Sequence, residues 1–160
     1  MTIAAQLNQL VAALDAWAKL LNGSAEAASD PFHLLAMLQM KPGSVRACVL
    51  CTGEAKRGEN EESGFADRDF SVVISRGRGF TLEPEASKTK GAANGEPLYN
   101  LVEAARDVCR GLSFDADTTE VTLNYLGWEP FPAPEGRAVD ACQLNFQIGV
   151  QLPAIPEPQP

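Results

Sequence analysis

The chain has a single histidine, and no apolar run reaches the ~18 residues that a membrane-spanning helix requires. Its 160 residues contain no GxGxxG, no GK[ST] and no histidine pair of metalloprotease type, so the common phosphate-cradling and zinc-hydrolase motifs are missing. Positive charge is scarce. Lys and Arg total 13 against 21 Asp and Glu, a formal net charge of −8. Such a surface repels phosphate backbones, which argues against a broad or sequence-specific nucleic-acid face. Met1–Gln6 has neither the basic start nor the continuous apolar stretch of a secretory leader, so the expected setting is a reducing cytoplasm. In that setting the four cysteines are expected as free thiols.

What is present suits one folded domain. Hydrophobic residues make up 45% and charged residues 21%, and a chain of this length buries roughly 70% of its unfolded surface. Residues 1–152 read as a single α+β domain and 153–160 as a flexible proline-rich tail, PAIPEPQP, whose prolines preclude both helix and ladder.

Ile3, Leu7, Leu10, Val11, Leu14, Trp17 and Leu21 share one helical stripe, and Asn22-Gly23 supplies the stop through a left-handed glycine. Asp30-Pro31 reads as a cap with proline in the first turn, opening a segment to Met40 that fits a short helix better than a strand. Val45–Cys51 and Phe70–Ser75 read as strands, with a long charged loop, Thr52–Asp69, between them. A glycine-rich loop, Arg76–Glu96, leads to a second helix with Leu98, Leu101, Val102, Ala105, Val108 and Leu112 on one face. Glu120–Leu126 alternates as a strand, and Glu129–Gly136 reads as a proline-rich turn. From Cys142 to Leu152 six apolar residues alternate with Gln143, Asn145, Gln147, Gly149 and Gln151. That period of two defines a long strand with one buried side. The sum is a mixed or antiparallel sheet of about four strands with two main helices packed on one face.

No grouping carries the spacing that a reaction needs, so no catalytic residue, metal or cofactor is expected. Cys48 and Cys51 form a C-x-x-C, but it ends an apolar strand rather than opening a helix, and Cys109 and Cys142 are isolated. His33 has no Ser or Cys placed in sequence as a partner. Glu59, Glu61, Glu62, Asp67 and Asp69 lack the spacing of a calcium loop. Gly77-Arg78-Gly79 follows a strand without a helix after it. Trp128, beside Gly127 and before Pro130-Phe131-Pro132, either exposes aromatic surface to a partner or folds back over the core.

The first helix, the strands RACVLC and FSVVIS split by an acidic loop, the helix LYNLVEAARDVCRGL and the closing QLNFQIGVQLP together resemble the tail-terminator (tail-completion) proteins of long-tailed phages. The resemblance rests on element order and covers about residues 3–152. It implies a non-enzymatic virion protein, assembled in the host cytoplasm, that caps the tail tube as a hexameric ring of its own copies and meets tube and neck proteins. The extra Asp30–Met40 segment, the Arg76–Glu96 loop and the proline tail depart from the family pattern. In a head-to-tail ring an acidic patch should meet a basic one. The expected pair is Glu59, Glu61, Glu62 and Asp67 against Arg76, Arg78, Lys88 and Lys90, with Trp128 and Phe131 as further contacts. Two other readings remain open: another neck, tail or baseplate component, or a small cytoplasmic ligand-binding, thiol or metal protein.

Overall fold

A computed structural model describes residues 2–38, 41, 43–56, 64–78, 97–116, 119–132, 134–152 and 158–159. Among them are three helices, α1 (Ile3–Lys19), α2 (Pro31–Met37) and α3 (Leu98–Arg110). The strands are β1 (Ser24–Ala27), β2 (Val45–Lys56), β3 (Phe65–Gly77), β4 (Ser113–Ala116), β5 (Thr119–Thr122), β6 (Asn124–Phe131) and β7 (Val139–Gln151). The main sheet runs β1-β2-β3-β7-β6, and β4 and β5 form a separate pair. Only β1 and β2 are parallel; every other pairing is antiparallel. The protein is therefore α+β with a mixed five-stranded sheet, one strand more than the sequence pattern suggests.

Side-chain parity sorts the sheet into two faces. On one, Ala47, Val49, Val72, Ile74, Cys142, Leu144, Phe146 and Ile148 pack with Leu10 and Leu14 of α1 and Leu98, Leu101, Val102 and Ala105 of α3. On the other, Cys48, Leu50, Val73 and Ala141 meet Leu34 and Met37 of α2 and Leu38 just beyond it. The two main helices thus share one face as expected, and α2 covers part of the opposite one. With both sides covered, Val72, Val73 and Ile74 are all fully buried, so FSVVIS shows no alternation.

Capping follows the sequence closely. The Thr2 hydroxyl accepts the Ala5 N–H at 3.2 Å, and the Asp30 carboxylate accepts the His33 N–H at 2.8 Å ahead of Pro31. The end of α1 works differently from expectation. Asn22, not Gly23, takes the left-handed conformation (φ 54°), while Gly23 N–H donates to Ala18 O at 2.8 Å and Asn22 N–H to Lys19 O at 3.4 Å. This is the bonding of a Schellman close, with asparagine in the strained position.

Three further boundaries need correction. Thr52–Asp69 is strand at both of its described ends: β2 and β3 pair out to Lys56 and Ala66, and residues 57–63 lie outside the described residues. The charges disguised a strand period, because Ala66, Arg68 and Phe70 are buried while Asp67 and Asp69 are only half-buried. Arg68 is accommodated inside by Glu54 at 2.8 Å and Gln6 at 2.6 Å. Glu120–Leu126 divides at Leu123 into β5 and β6, which belong to different sheets. Finally, the expected Glu129–Gly136 turn starts later, since β6 continues through Pro130 and Phe131. Proline is tolerated there because β6 is an edge strand and needs no outward donor.

Candidate assembly surface

The sheet's two edges are finished unequally. At β1 the Asp15 carboxylate accepts the Ala25 N–H at 3.0 Å, so α1 blunts that edge. The same carboxylate bonds Lys19, and the two contacts hold its pKa below the usual 3.8. At β6 no further strand pairs among the described residues. Here the register slips between Tyr125 and Gly127, with Gly127 at φ 128°, a bulge that re-aims the residues around it. Tyr125 turns inward, its ring 5.5 Å from Phe146. Leu126 stays 53% exposed and Trp128 44% exposed, with the Trp128 ring 5.3 Å from Tyr99 of α3. Trp128 is thus a strand residue propped by a helix, not part of a turn. Phe131, also on β6, is half-buried against the α2 side of the sheet.

A cleft of about 330 Å³ lies where β3 and β6 end and β7 begins, walled by Arg78, Pro130, Phe131, Pro132 and Asp140. Asp140 is 6% exposed. Its Oδ1 stands 3.4 Å from Arg78 Nε, an ion-pair distance without hydrogen-bond geometry, and its Oδ2 has no hydrogen-bond partner among the described residues. Arg76, opposite Asp140 in the ladder, is 1% exposed. Burial lowers its guanidinium pKa, and the Asp140 charge works the other way.

These positions revise the expected basic loop. Arg76 is interior and Arg78 is engaged with Asp140, so neither is a free surface cation for a neighbour's acidic loop. Asp67 is a half-buried strand residue opposite Ala55 and Gly149 rather than a loop residue. Glu59, Glu61, Glu62, Lys88 and Lys90 lie outside the described residues. Asp140 was missed, although one signal pointed to it: it shares the phase of Cys142, Leu144 and Phe146, which places its carboxylate on a buried side.

Beyond the reach of α2, the other sheet face is polar. Gln143 donates to Asn145 at 2.8 Å and to Ser71 at 3.1 Å, Ser71 donates to Asn145 at 3.1 Å, and Gln147 donates to Asp69 at 3.0 Å. The glutamine-rich side of β7 is therefore tied across to β3 and half-buried, a stiff surface rather than loose solvated side chains.

Reactive groupings read as structural. Cys48 and Cys51 pack into opposite-face clusters, and all four cysteines are free. Burial pushes the Cys48 and Cys109 thiols up to about 12 and raises Cys51 as well, the reverse of nucleophile activation. His33 does have a near serine: Ser29 Oγ lies 3.2 Å from Nδ1, and Ser29 N–H donates to the same nitrogen at 3.1 Å. The neighbouring Asp30 carboxylate accepts from Ser29 and from the His33 backbone, not from the imidazole, so the trio closes the start of α2 and does not form a relay. Among the described residues no three His, Cys, Asp or Glu are arranged to hold a metal ion. None of the described helices is long and apolar enough to cross a membrane.

No protein-family model matches the chain, and no curated protein matches it.

Proposed function

We propose that this chain is a non-catalytic structural protein that works by self-assembly, of the kind that closes the tail tube of a long-tailed phage as a ring, six subunits in the resembled family, and joins it to the neck. The supporting observation is the β6 edge, where Leu126 and Trp128 remain exposed on a strand that has one partner among the described residues, while α1 and Asp15 protect the opposite edge. A sheet with one protected and one available edge favours head-to-tail contacts between unlike surfaces, and such contacts give a ring where the rotation between subunits closes and a filament where it does not. Pro130 and the Gly127 bulge limit outright strand addition, so the side chains of Leu126 and Trp128, backed by Tyr99, carry the contact. The raised thiol pKa values of Cys48 and Cys109 and the capping role of His33 fit packing roles for these side chains. The working place of such a protein is the virion tail, and its partners are copies of itself with tube and neck proteins.

Sedimentation velocity on the full chain and on Trp128→Arg tests the reading. The wild-type chain should associate, and the variant should sediment as a monomer with an unchanged circular-dichroism spectrum. Equal association of both would remove β6 from the interface.

A further inference from the structure

The seam between α3 and the edge strand β6 has a chemistry that selects its partner. Tyr125 and Trp128 stand opposite Phe146 and Leu144, so both share the sheet face that packs on α3. Trp128 leans on Tyr99 of α3, and Leu126, at the bulge, is 53% exposed. Two helical turns on from Tyr99, Arg106 lies beside Tyr125: burial raises the Tyr125 hydroxyl pKa, and the Arg106 charge works the other way. Arg106 bonds Asp107 through Nε at 2.9 Å, which leaves its outer N–H groups for a second carboxylate. The Trp128 indole N–H and the Tyr99 and Tyr125 hydroxyls have no hydrogen-bond partner among the described residues. The strip is thus aromatic, rich in donors and cationic at one end.

A proline-rich segment is the complement of such a strip. Proline offers a carbonyl and no N–H, its ring suits aromatic walls, and polyproline II leaves the backbone carbonyls unpaired. The spacing also agrees. Two ladder steps on β7, from Phe146 to Leu144, separate Tyr125 from Trp128, about 6.6 Å along the sheet. Alternate residues of polyproline II are ~6.2 Å apart. The chain carries this sequence at 153–160, PAIPEPQP, with prolines alternating at 156, 158 and 160. Its one charged side chain, Glu157, is opposite in sign to Arg106. On its own chain Pro158 is exposed, so it is not seated against these rings there.

We propose that residues 153–160 of one copy dock on the α3–β6 seam of a second copy. Pro156 and Pro158 lie against the rings of Tyr125, Trp128 and Tyr99, backbone carbonyls accept from the indole and hydroxyl groups, and Glu157 faces Arg106. The proposal rests on the assembly reading and deepens it by naming what covers the exposed part of β6. A tail segment meeting an edge strand joins unlike surfaces, as a head-to-tail contact requires.

The test places a photoreactive benzoylphenylalanine at position 155 of the full chain. An equal mixture of unlabelled and nitrogen-15-labelled protein is irradiated at associating concentrations, and mass spectrometry maps the links and separates those between copies from those within one. Links between copies to Tyr99 or to residues 125–128 are expected. Two tail variants accompany it, Glu157→Lys and Pro158→Gly. Each should keep the wild-type fold and raise the dissociation constant of self-association about tenfold, the loss expected for one interface anchor. If the chain associates but the links fall elsewhere or within one copy, or both variants associate as the wild type does, the docking is wrong while assembly stands. A chain that remains monomeric and forms no link between copies overturns both.

Discussion

Gly23→Ala is the substitution for which the structure gives the sharpest number. A Cβ at position 23 would lie 2.0 Å from Val45 O and 2.9 Å from Val45 C, both backbone atoms at the start of β2, and 3.1 Å from Ala18 O. Backbone cannot rotate out of the way as a side chain can, so either the α1 close or the β1–β2 pairing must move by about an ångström. Gly23 N–H also donates to Ala18 O, and Ser44 Oγ donates to Asn22 O at 2.6 Å, so the shift would strain the bonds that tie α1 to the sheet. Overpacking of this kind costs typically 1–3 kcal/mol, and against fixed backbone the upper figure, about 3 kcal/mol, is expected. For a domain of this size that lowers the melting temperature by roughly 6–12 °C. Gly53→Ala is the matched control. A Cβ there meets nothing within 4 Å and the φ is not positive, so stability should change by under ~1 kcal/mol and in the favourable direction. Urea denaturation of the wild type and both variants, with slopes compared, is the assay. A Gly23→Ala protein as stable as the Gly53→Ala protein would refute the close approach of α1 and β2.

Other expectations follow from buried and charged groups. In native protein near neutral pH, Cys51 should react with a thiol reagent and Cys48, Cys109 and Cys142 should not, whereas all four should react in denaturant; mass spectrometry of the alkylated protein counts them. Arg68→Ala should destabilise by about 2 kcal/mol, because it leaves Gln6 buried beside a cavity and Glu54 without its partner, and chemical denaturation measures it. Asp15, Asp30 and Asp107 have folded pKa values below the ordinary 3.8, so the stability they add is present above that value and is lost as pH falls through the lower folded values. Asp15→Asn keeps an oxygen for the Ala25 N–H but removes the titration, and should flatten the fall in melting temperature below about pH 4.

Elements whose apolar residues keep one period were legible in the sequence. α1, α3 and β7 each present a stripe that only one backbone geometry can bury, and the structure places those stripes in one core. The Asp30-Pro31 cap likewise marks α2 by local chemistry. Strand length was not legible where polar residues sit inside. Arg68 is buried by virtue of Gln6, sixty-two residues away, and no local pattern reveals such a partner. β1 escaped notice because Ser24–Ala27 has too few apolar residues to show a period; its place is set by pairing with β2 and by Asp15. The site divides in the same way. Trp128 stood out by residue type, but its support from Tyr99 and its position on an edge strand are tertiary. The cleft needs the ends of β3, β6 and β7 brought together, and only the phase of Asp140 hinted at it.

The central claim, function through self-assembly, is tested most directly by native mass spectrometry of the full chain over a wide range of concentration. The account predicts a closed homo-oligomer of one stoichiometry, six in the resembled family, built up as concentration rises and absent from Trp128→Arg. A wild-type chain that stays monomeric at every concentration would contradict it.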